Sequence, residues 1–186
     1  LARGIQKSGI DVIDVGCVPT PMVYFAAHHL HTRCAVMLTG SHNPPDYNGL
    51  KMVLADETLS GETIQRLRQR IERNDLTHGT GSYSQQDISA DYIARIVSGI
   101  RLARPMKVTV DCGNGVAGAY VAGLYRQLGC EVEEMYCEVD GHFPNHHPDP
   151  SQPENLHDLI AALRNNDSEL GLAFDGDGDR LGVVTK

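Results

Sequence analysis

Leu170-Gly171-Leu172-Ala173-Phe174-Asp175-Gly176-Asp177-Gly178-Asp179-Arg180-Leu181-Gly182-Val183-Val184-Thr185 is two apolar runs separated by an acidic hexapeptide. Runs of five apolar or β-branched residues bounded by turn formers read as short buried strands, so Asp175 to Arg180 is the loop between them. The two glycines let the backbone curl through conformations that other residues avoid, so the side chains of Asp175, Asp177 and Asp179 can converge. Converging carboxylates repel unless a cation sits among them, and an all-oxygen ligand set selects a hard divalent ion: Mg²⁺, Mn²⁺ or Ca²⁺. A solvated acidic turn is the bland alternative. A calcium-binding helix-loop-helix starting at Asp175 needs glycine at its sixth position and glutamate at its twelfth. Those positions hold Arg180 and Lys186, which rules that reading out. A fixed guanidinium beside the acids points to an anion shared between Arg180 and the metal.

Outward from this loop, strand and helix signals alternate. Asp11 to Val15 reads as a strand. Thr20-Pro21 offers an N-cap followed by proline at the first helical position, opening a helix to about His31. Cys34 to Leu38 and Leu50 to Leu54 are strands. A helix capped by Ser60 carries Ile64, Leu67 and Ile71 on one face, with Arg66, Arg68, Arg70 and Arg73 largely elsewhere. The polar, Gly/Ser-rich segment Thr77 to Gln86 is the expected domain boundary. Beyond it come a helix marked by Ile93, Ile96, Val97 and Ile100, a strand Met106 to Asp111, and a helix Val116 to Leu128 closed by Gly129. A strand Glu131 to Tyr136 and a helix with Leu156, Leu159, Ile160 and Leu163 on one stripe precede the acidic loop. Twofold βα alternation predicts two consecutive α/β domains, 1–86 and 87–186.

Bulk properties exclude several classes. A net charge of −8 without a Lys/Arg run argues against a nucleic-acid surface. No apolar stretch approaches a membrane span, and no signal-peptide pattern is read in the opening residues. Five cysteines (Cys17, Cys34, Cys112, Cys130, Cys137), without CxxC spacing, are expected to be reduced core thiols of a cytoplasmic protein. The chain begins on what reads as the tail of a helix and stops after a strand, so a piece of a longer protein is expected.

Three other segments could carry chemistry. Thr39-Gly40-Ser41-His42-Asn43-Pro44-Pro45-Asp46-Tyr47-Asn48-Gly49-Leu50-Lys51 follows a strand, where open α/β sheets place ligands, although an ordinary polar turn has the same composition. It lacks the GxSxG elbow of a serine hydrolase, and neighbours such as Ser41 and His42 rarely form a nucleophile–base pair. Gly113-Asn114-Gly115-Val116-Ala117-Gly118 matches a dinucleotide fingerprint, with Glu131, Glu133 and Glu134 farther on as ribose-binding acids; a tight strand-to-helix turn explains the glycines equally well. The loop His142-Phe143-Pro144-Asn145-His146-His147-Pro148-Asp149-Pro150 lacks zinc-ligand spacing and is expected to be a structured, partly buried connector. His28, His29 and His31 at a helix C-terminus favour the dipole from a solvated position.

Thr39 to Pro44 together with Asp175 to Arg180 closely resembles the α-D-phosphohexomutase superfamily, and Val108 to Gly118 with Tyr136 to Leu156 resembles its bacterial phosphomannomutase/phosphoglucomutase branch. The resemblance covers nearly the whole chain, with two independent motifs in the family's order. It implies mixed-sheet α/β domains: most of a first domain, truncated at its N-terminus and bearing the phosphoserine loop, then nearly all of a second bearing the metal loop. It implies that Ser41 carries a transferable phosphoryl group, and that Asp175, Asp177 and Asp179 bind Mg²⁺ with a phosphoserine oxygen. It further implies that Arg180 neutralises charge on that group, that Lys51 is general base toward the sugar hydroxyl, and that His42 orients the loop. A glucose 1,6-bisphosphate-type activator would phosphorylate Ser41, and the reaction would interconvert hexose 6-phosphate and hexose 1-phosphate. The partners implied are a phosphorylated hexose and the protein's own C-terminal domains, and the isolated chain is expected to be inactive. Two other classes stay open: a nucleotide-cofactor domain and a non-catalytic cation-binding domain.

Overall fold

Brief apolar runs broken by glycine and proline divide the first half of the chain into small elements. The computed structural model describes residues 1–44 and 46–186; Pro45, inside the loop read as ligand-bearing, lies outside the described residues. Helix α1 (Ala2–Lys7) leads into strand β1 (Val12–Asp14) and helix α2 (Thr20–His29). Pro21 stands in the first turn of α2, where its missing N–H costs nothing. The cap itself is Pro19 rather than the expected Thr20, which is the first helical residue. The helix ends at His29, two residues short of expectation, because the chain turns left-handed at His31 (φ 55°). Strand β2 (Ala35–Thr39) pairs antiparallel with β3 (Gly49–Leu54), and β3 with β4 (Glu57–Thr58).

Helix α3 (Gly61–Glu72) starts after Ser60, but the Ser60 hydroxyl makes no capping hydrogen bond. Its expected apolar stripe is not buried: Ile64 and Ile71 are exposed, and Leu67 lines an open cleft. That cleft, about 1250 Å³, runs between β1 and β2, which are not hydrogen-bonded to each other, and its lining is predominantly aliphatic. Strand β5 (Tyr83–Gln85) pairs parallel with β1. The polar segment Thr77 to Gln86 therefore carries a strand of the first half, anchored by amide bonds from Gly79 to Lys7 and from Gly81 to Gln6.

Helix α4 (Ser89–Gly99) begins the second half, followed by β6 (Lys107–Asp111). The single helix expected over Val116 to Leu128 is instead a 3₁₀ turn (Val116–Ala119) and helix α5 (Val121–Gln127). The break falls at Tyr120 (φ −126°), just after Gly118, where a Cβ would lie 2.1 Å from the Cys137 carbonyl oxygen, so this turn packs directly against a neighbouring loop. Strand β7 (Glu131–Met135), helix α6 (His157–Asn165) and strands β8 (Leu170–Phe174) and β9 (Leu181–Thr185) complete the chain. The sheet runs β7-β6-β8-β9, with the first three parallel and β9 antiparallel to β8. Alternation along β6 and β8 sends Val108, Val110 and Leu172 toward Ala117 and Val121. On the opposite face Gly171 sits under Leu159 and Leu163 of α6, whose atoms would lie 2.8–2.9 Å from any Cβ there. The result is a helix–sheet–helix sandwich.

The halves share packing. Ile88 and Tyr92, from the second half, join Met22, Val23 and Ala26 of α2 in one apolar cluster, and Tyr120 packs on it. Not all cysteines are core thiols: Cys112 and Cys130 are buried, whereas Cys17 and Cys34 are exposed. Among the described residues, no helix is long and apolar enough to cross a membrane.

Candidate active site

Two strand ends bring the acidic loop and the Ser41 loop together. The acidic loop joins β8 to β9, and the Ser41 loop joins β2 to β3. Their approach requires glycine at 176, since a Cβ there would stand 2.2 Å from the Ser41 carbonyl oxygen. Gly178 takes φ 70°, the left-handed region in which glycine is unstrained, and its amide bonds back to the Asp175 carbonyl at 3.0 Å.

Asp175, Asp177 and Asp179 each bring a carboxylate oxygen within 4.8 Å of the others. Asp175 is fully buried: its Oδ1 accepts from the amides of Asp179 and Arg180, each at 3.0 Å, and its Oδ2 accepts from Arg180 Nε at 3.0 Å. Burial pushes its carboxyl up, the Arg180 amide opposes that, and the neighbouring Asp177 charge adds to the rise. Asp177 is also buried and is held the other way. Burial raises it, but the Lys51 ammonium and the Thr20 and Thr39 hydroxyls outweigh that and keep it below the usual range. Its Oδ2 accepts from Lys51 Nζ (2.7 Å), Thr20 Oγ1 (2.9 Å) and Thr39 Oγ1 (3.0 Å). Asp179 is more exposed and takes Lys51 Nζ at 2.5 Å. Burial lowers the Lys51 pKa, but its two carboxylate partners win and hold the proton on.

Ser41 sits at φ 53°, a strained conformation for a side chain with a Cβ, fixed by its amide bonding to Thr39 Oγ1 at 2.8 Å. Its Oγ lies 3.1 Å from Asp175 Oδ2 and 3.3 Å from Asp177 Oδ1, and accepts from Arg180 Nη2 at 2.8 Å. Sequence neighbours rarely form a nucleophile–base hydrogen bond, yet here Ser41 Oγ lies 3.3 Å from His42 Nδ1, with Ser41 in the left-handed region. Arg180 Nη2 also reaches His42 Nδ1, so Ser41, His42 and Arg180 form one cluster.

All the site residues expected from sequence thus converge: Ser41, His42, Lys51, Asp175, Asp177, Asp179 and Arg180. Three more were missed. Thr20 and Thr39 donate to Asp177, and His147 Nε2 hydrogen-bonds the His42 carbonyl across the two halves. Thr20 carries a sequence signal, a threonine before proline, but that signal reads equally as a helix cap. The connector around His147 therefore braces the Ser41 loop. His146 instead bonds both oxygens of the buried Asp111 at 3.0–3.1 Å.

The donor set fits a divalent cation. Three carboxylates, two of them buried, converge beside a serine hydroxyl, an oxygen donor set that suits a Mg²⁺-class ion if it displaces the Lys51 ammonium that bridges Asp177 and Asp179. The glycine fingerprint serves packing instead of a dinucleotide. The Val116 amide, where a phosphate would sit, donates to the Gly176 carbonyl at 3.1 Å, and a Cβ at Gly115 would lie 2.9 Å from the same oxygen.

Comparison with known proteins agrees with this geometry. Residues 1–78 match the family described as phosphoglucomutase/phosphomannomutase, alpha/beta/alpha domain I, and residues 90–186 match its alpha/beta/alpha domain II. The chain is 60% identical over 185 residues to a phosphomannomutase/phosphoglucomutase of Pseudomonas aeruginosa, covering 100% of this chain and 40% of that protein. It is 57% identical over 188 residues to a phosphoglucomutase of Neisseria meningitidis, covering 41% of it. A crystal structure of a phosphoglucomutase/phosphomannomutase family protein from Burkholderia thailandensis superposes with a TM-score of 0.94 at 51% identity, over 99% of this chain and 42% of that one. The chain spans about two fifths of the length of these relatives.

Proposed function

The chain belongs to the phosphoglucomutase/phosphomannomutase family, and from that premise we propose that it supplies the phosphoserine-and-metal half of a phosphohexomutase active site. The reaction we assign to the whole protein interconverts hexose 6-phosphates and hexose 1-phosphates of the mannose or glucose series through a bisphosphorylated sugar. One observation carries the reading. The Ser41 hydroxyl lies within hydrogen-bonding distance of Asp175, Asp177 and Arg180, groups more than 130 residues away and on another sheet. An ordinary turn serine has no reason to meet two buried carboxylates and a guanidinium.

Ser41 Oγ carries the phosphoryl group. A phosphoserine brings nearly two negative charges at neutral pH, and Arg180, already 2.8 Å from Oγ, is placed to pair with them. Mg²⁺ held by Asp175, Asp177, Asp179 and a Ser41 phosphoryl oxygen would neutralise the remaining charge as the group is transferred. His42 and Thr39 hold the Ser41 loop in its left-handed turn. Lys51 is assigned proton transfer with the sugar hydroxyl; to accept a proton it must first lose one, which Asp177 and Asp179 oppose until they let go of its ammonium. The sugar is placed at the open edge of the Ser41 loop. The aliphatic cleft between β1 and β2 suits protein packing better than a polyol phosphate. Recognition of the sugar and of its distal phosphate falls to the rest of the protein, so the chain alone is expected to have little or no mutase turnover.

The test is phosphate transfer to Ser41. Full-length protein incubated with glucose 1,6-bisphosphate and Mg²⁺ should gain one phosphate, mapped to Ser41 by peptide mass and lost in Ser41→Ala. Unmodified Ser41 after that incubation contradicts the assignment.

A further inference from the structure

Cys112 and Cys137 lie outside the site and take no part in the chemistry above, yet their sulfurs are 3.3 Å apart. Each follows the C-terminal end of a parallel strand, Cys112 after β6 and Cys137 after β7, and the Cys112 amide bonds to the Met135 carbonyl at 3.1 Å. Cys112 is fully buried, while Cys137 is partly open to solvent. The two thiols are inequivalent. A partly accessible sulfur beside a buried partner thiol is the arrangement of a peroxide-sensitive cysteine with its resolving partner.

We propose that this pair is an oxidative modification site: hydrogen peroxide converts Cys137 and Cys112 to a disulfide, and the bond loosens the turn that supports the acidic loop. In the first step the Cys137 thiolate attacks a peroxide oxygen and breaks the O–O bond, giving sulfenic acid and, with one proton, water. In the second, the Cys112 sulfur attacks the sulfenic sulfur and expels its hydroxyl as a second water. Two thiols lose two electrons and one peroxide gains them. The inference is independent of the phosphoryl-transfer reading.

The mechanical consequence follows from strand order. A disulfide brings the sulfurs to about 2.05 Å, so the pair must close by more than an ångström. Cys137 follows β7 on one side of β6, whereas the acidic loop follows β8 on the other side. Closure therefore draws the Cys112–Val116 turn away from the acidic loop. That turn is short and stiff: the Gly115 amide bonds to the Cys112 carbonyl at 2.7 Å, and the next amide, Val116, bonds to the Gly176 carbonyl at 3.1 Å. The Val116–Gly176 bond is the contact that lengthens.

Reduced chain is treated with hydrogen peroxide under native conditions, capped with N-ethylmaleimide on unfolding, and digested after Lys/Arg and after Glu. The expected product is peptide Val108–Arg126 disulfide-linked to Met135–Glu138, each of which contains one cysteine. It should vanish on reduction and be absent in Cys137→Ser. Recovery of both peptides capped, with only the exposed Cys17 and Cys34 oxidised, overturns the site. Amide exchange followed by NMR tests the coupling: Val116 N–H should exchange roughly tenfold faster in the oxidised chain. Unchanged exchange at Val116 in chain that carries the crosslink overturns the loosening.

Discussion

Replacing Gly176 by alanine adds one methyl group where the acidic loop meets the Ser41 loop, and the structure sets how badly it fits. A Cβ at 176 would stand 2.2 Å from the Ser41 carbonyl oxygen and 3.4 Å from a Pro148 side-chain carbon. The backbone at 176 is not in the left-handed region, so the penalty is steric rather than torsional. An ordinary carbon–oxygen contact lies near 3.4 Å, so the loops must part by about 1 Å, which is the overpacking regime of about 1–3 kcal/mol. For a chain of this size that lowers the melting temperature by roughly 3–10 °C. Separation of the loops should also lengthen the Ser41–Asp175 and Ser41–Asp177 contacts, so Ser41 phosphorylation in the full-length protein should fall at least tenfold. Gly123→Ala is the control. Nothing lies within 4 Å of its added Cβ, and it is a glycine inside α5. It should stabilise by about 0.5–1 kcal/mol through helix propensity. Melts by circular dichroism and phosphopeptide yields measure both variants. A Gly176→Ala protein that melts with the parent and phosphorylates normally refutes the close approach.

Thr20→Val keeps the shape of a buried side chain but removes a donor to Asp177; a loss of about 1–3 kcal/mol in urea unfolding is expected, and no loss would mean the hydroxyl is idle. Lys51→Met leaves Asp177 and Asp179 without their shared ammonium. Its melting temperature should therefore rise more on adding Mg²⁺ than that of the parent, and an equal rise would show that lysine and cation do not compete for the same carboxylates. His146 gives a pH test. Its Asp111 partner holds the imidazole pKa above its ordinary value, against burial. A raised folded-state pKa stabilises fully below the unfolded value near 6.5, and that stability is lost as pH rises through the folded value. His146→Gln should therefore cost about 1.5–3 kcal/mol at pH 5.5 and progressively less toward pH 8, measured by urea unfolding across pH. A pH-independent cost would remove the charge-assisted bond.

The alternating architecture was legible because its signals are local. Val108, Val110, Leu170 and Leu172 sit in short apolar runs between turn formers, and Leu159 and Leu163 recur at helical spacing. The acidic loop was legible for the same reason, since three acids spaced by glycine carry their own geometry. What sequence did not disclose depends on contacts between distant segments. Thr20 read as a helix cap because no local feature reveals that Asp177 accepts from its hydroxyl. The single helix expected over Val116 to Leu128 breaks at Tyr120, beside the turn in which Gly118 lies against Cys137, a packing contact with no local trace. The stripe Ile64, Leu67 and Ile71 has helical period, but α3 meets an open cleft rather than a core. Ser41 and His42 meet through a left-handed residue that no pattern signals in a non-glycine. Cys17 and Cys34 lie among apolar neighbours in sequence yet end exposed, because each stands at the edge of its strand-like run.

The proposed phosphoryl transfer requires that a phosphate on Ser41 and a divalent cation on Asp175, Asp177 and Asp179 share a single site. Mn²⁺ reports on it directly, because its unpaired electrons broaden phosphorus resonances only at short range. With phosphoserine installed at position 41, substoichiometric Mn²⁺ should broaden the ³¹P line beyond detection, and Asp177→Asn should restore it. A line that stays sharp in the parent while Mn²⁺ binds elsewhere on the chain contradicts the claim.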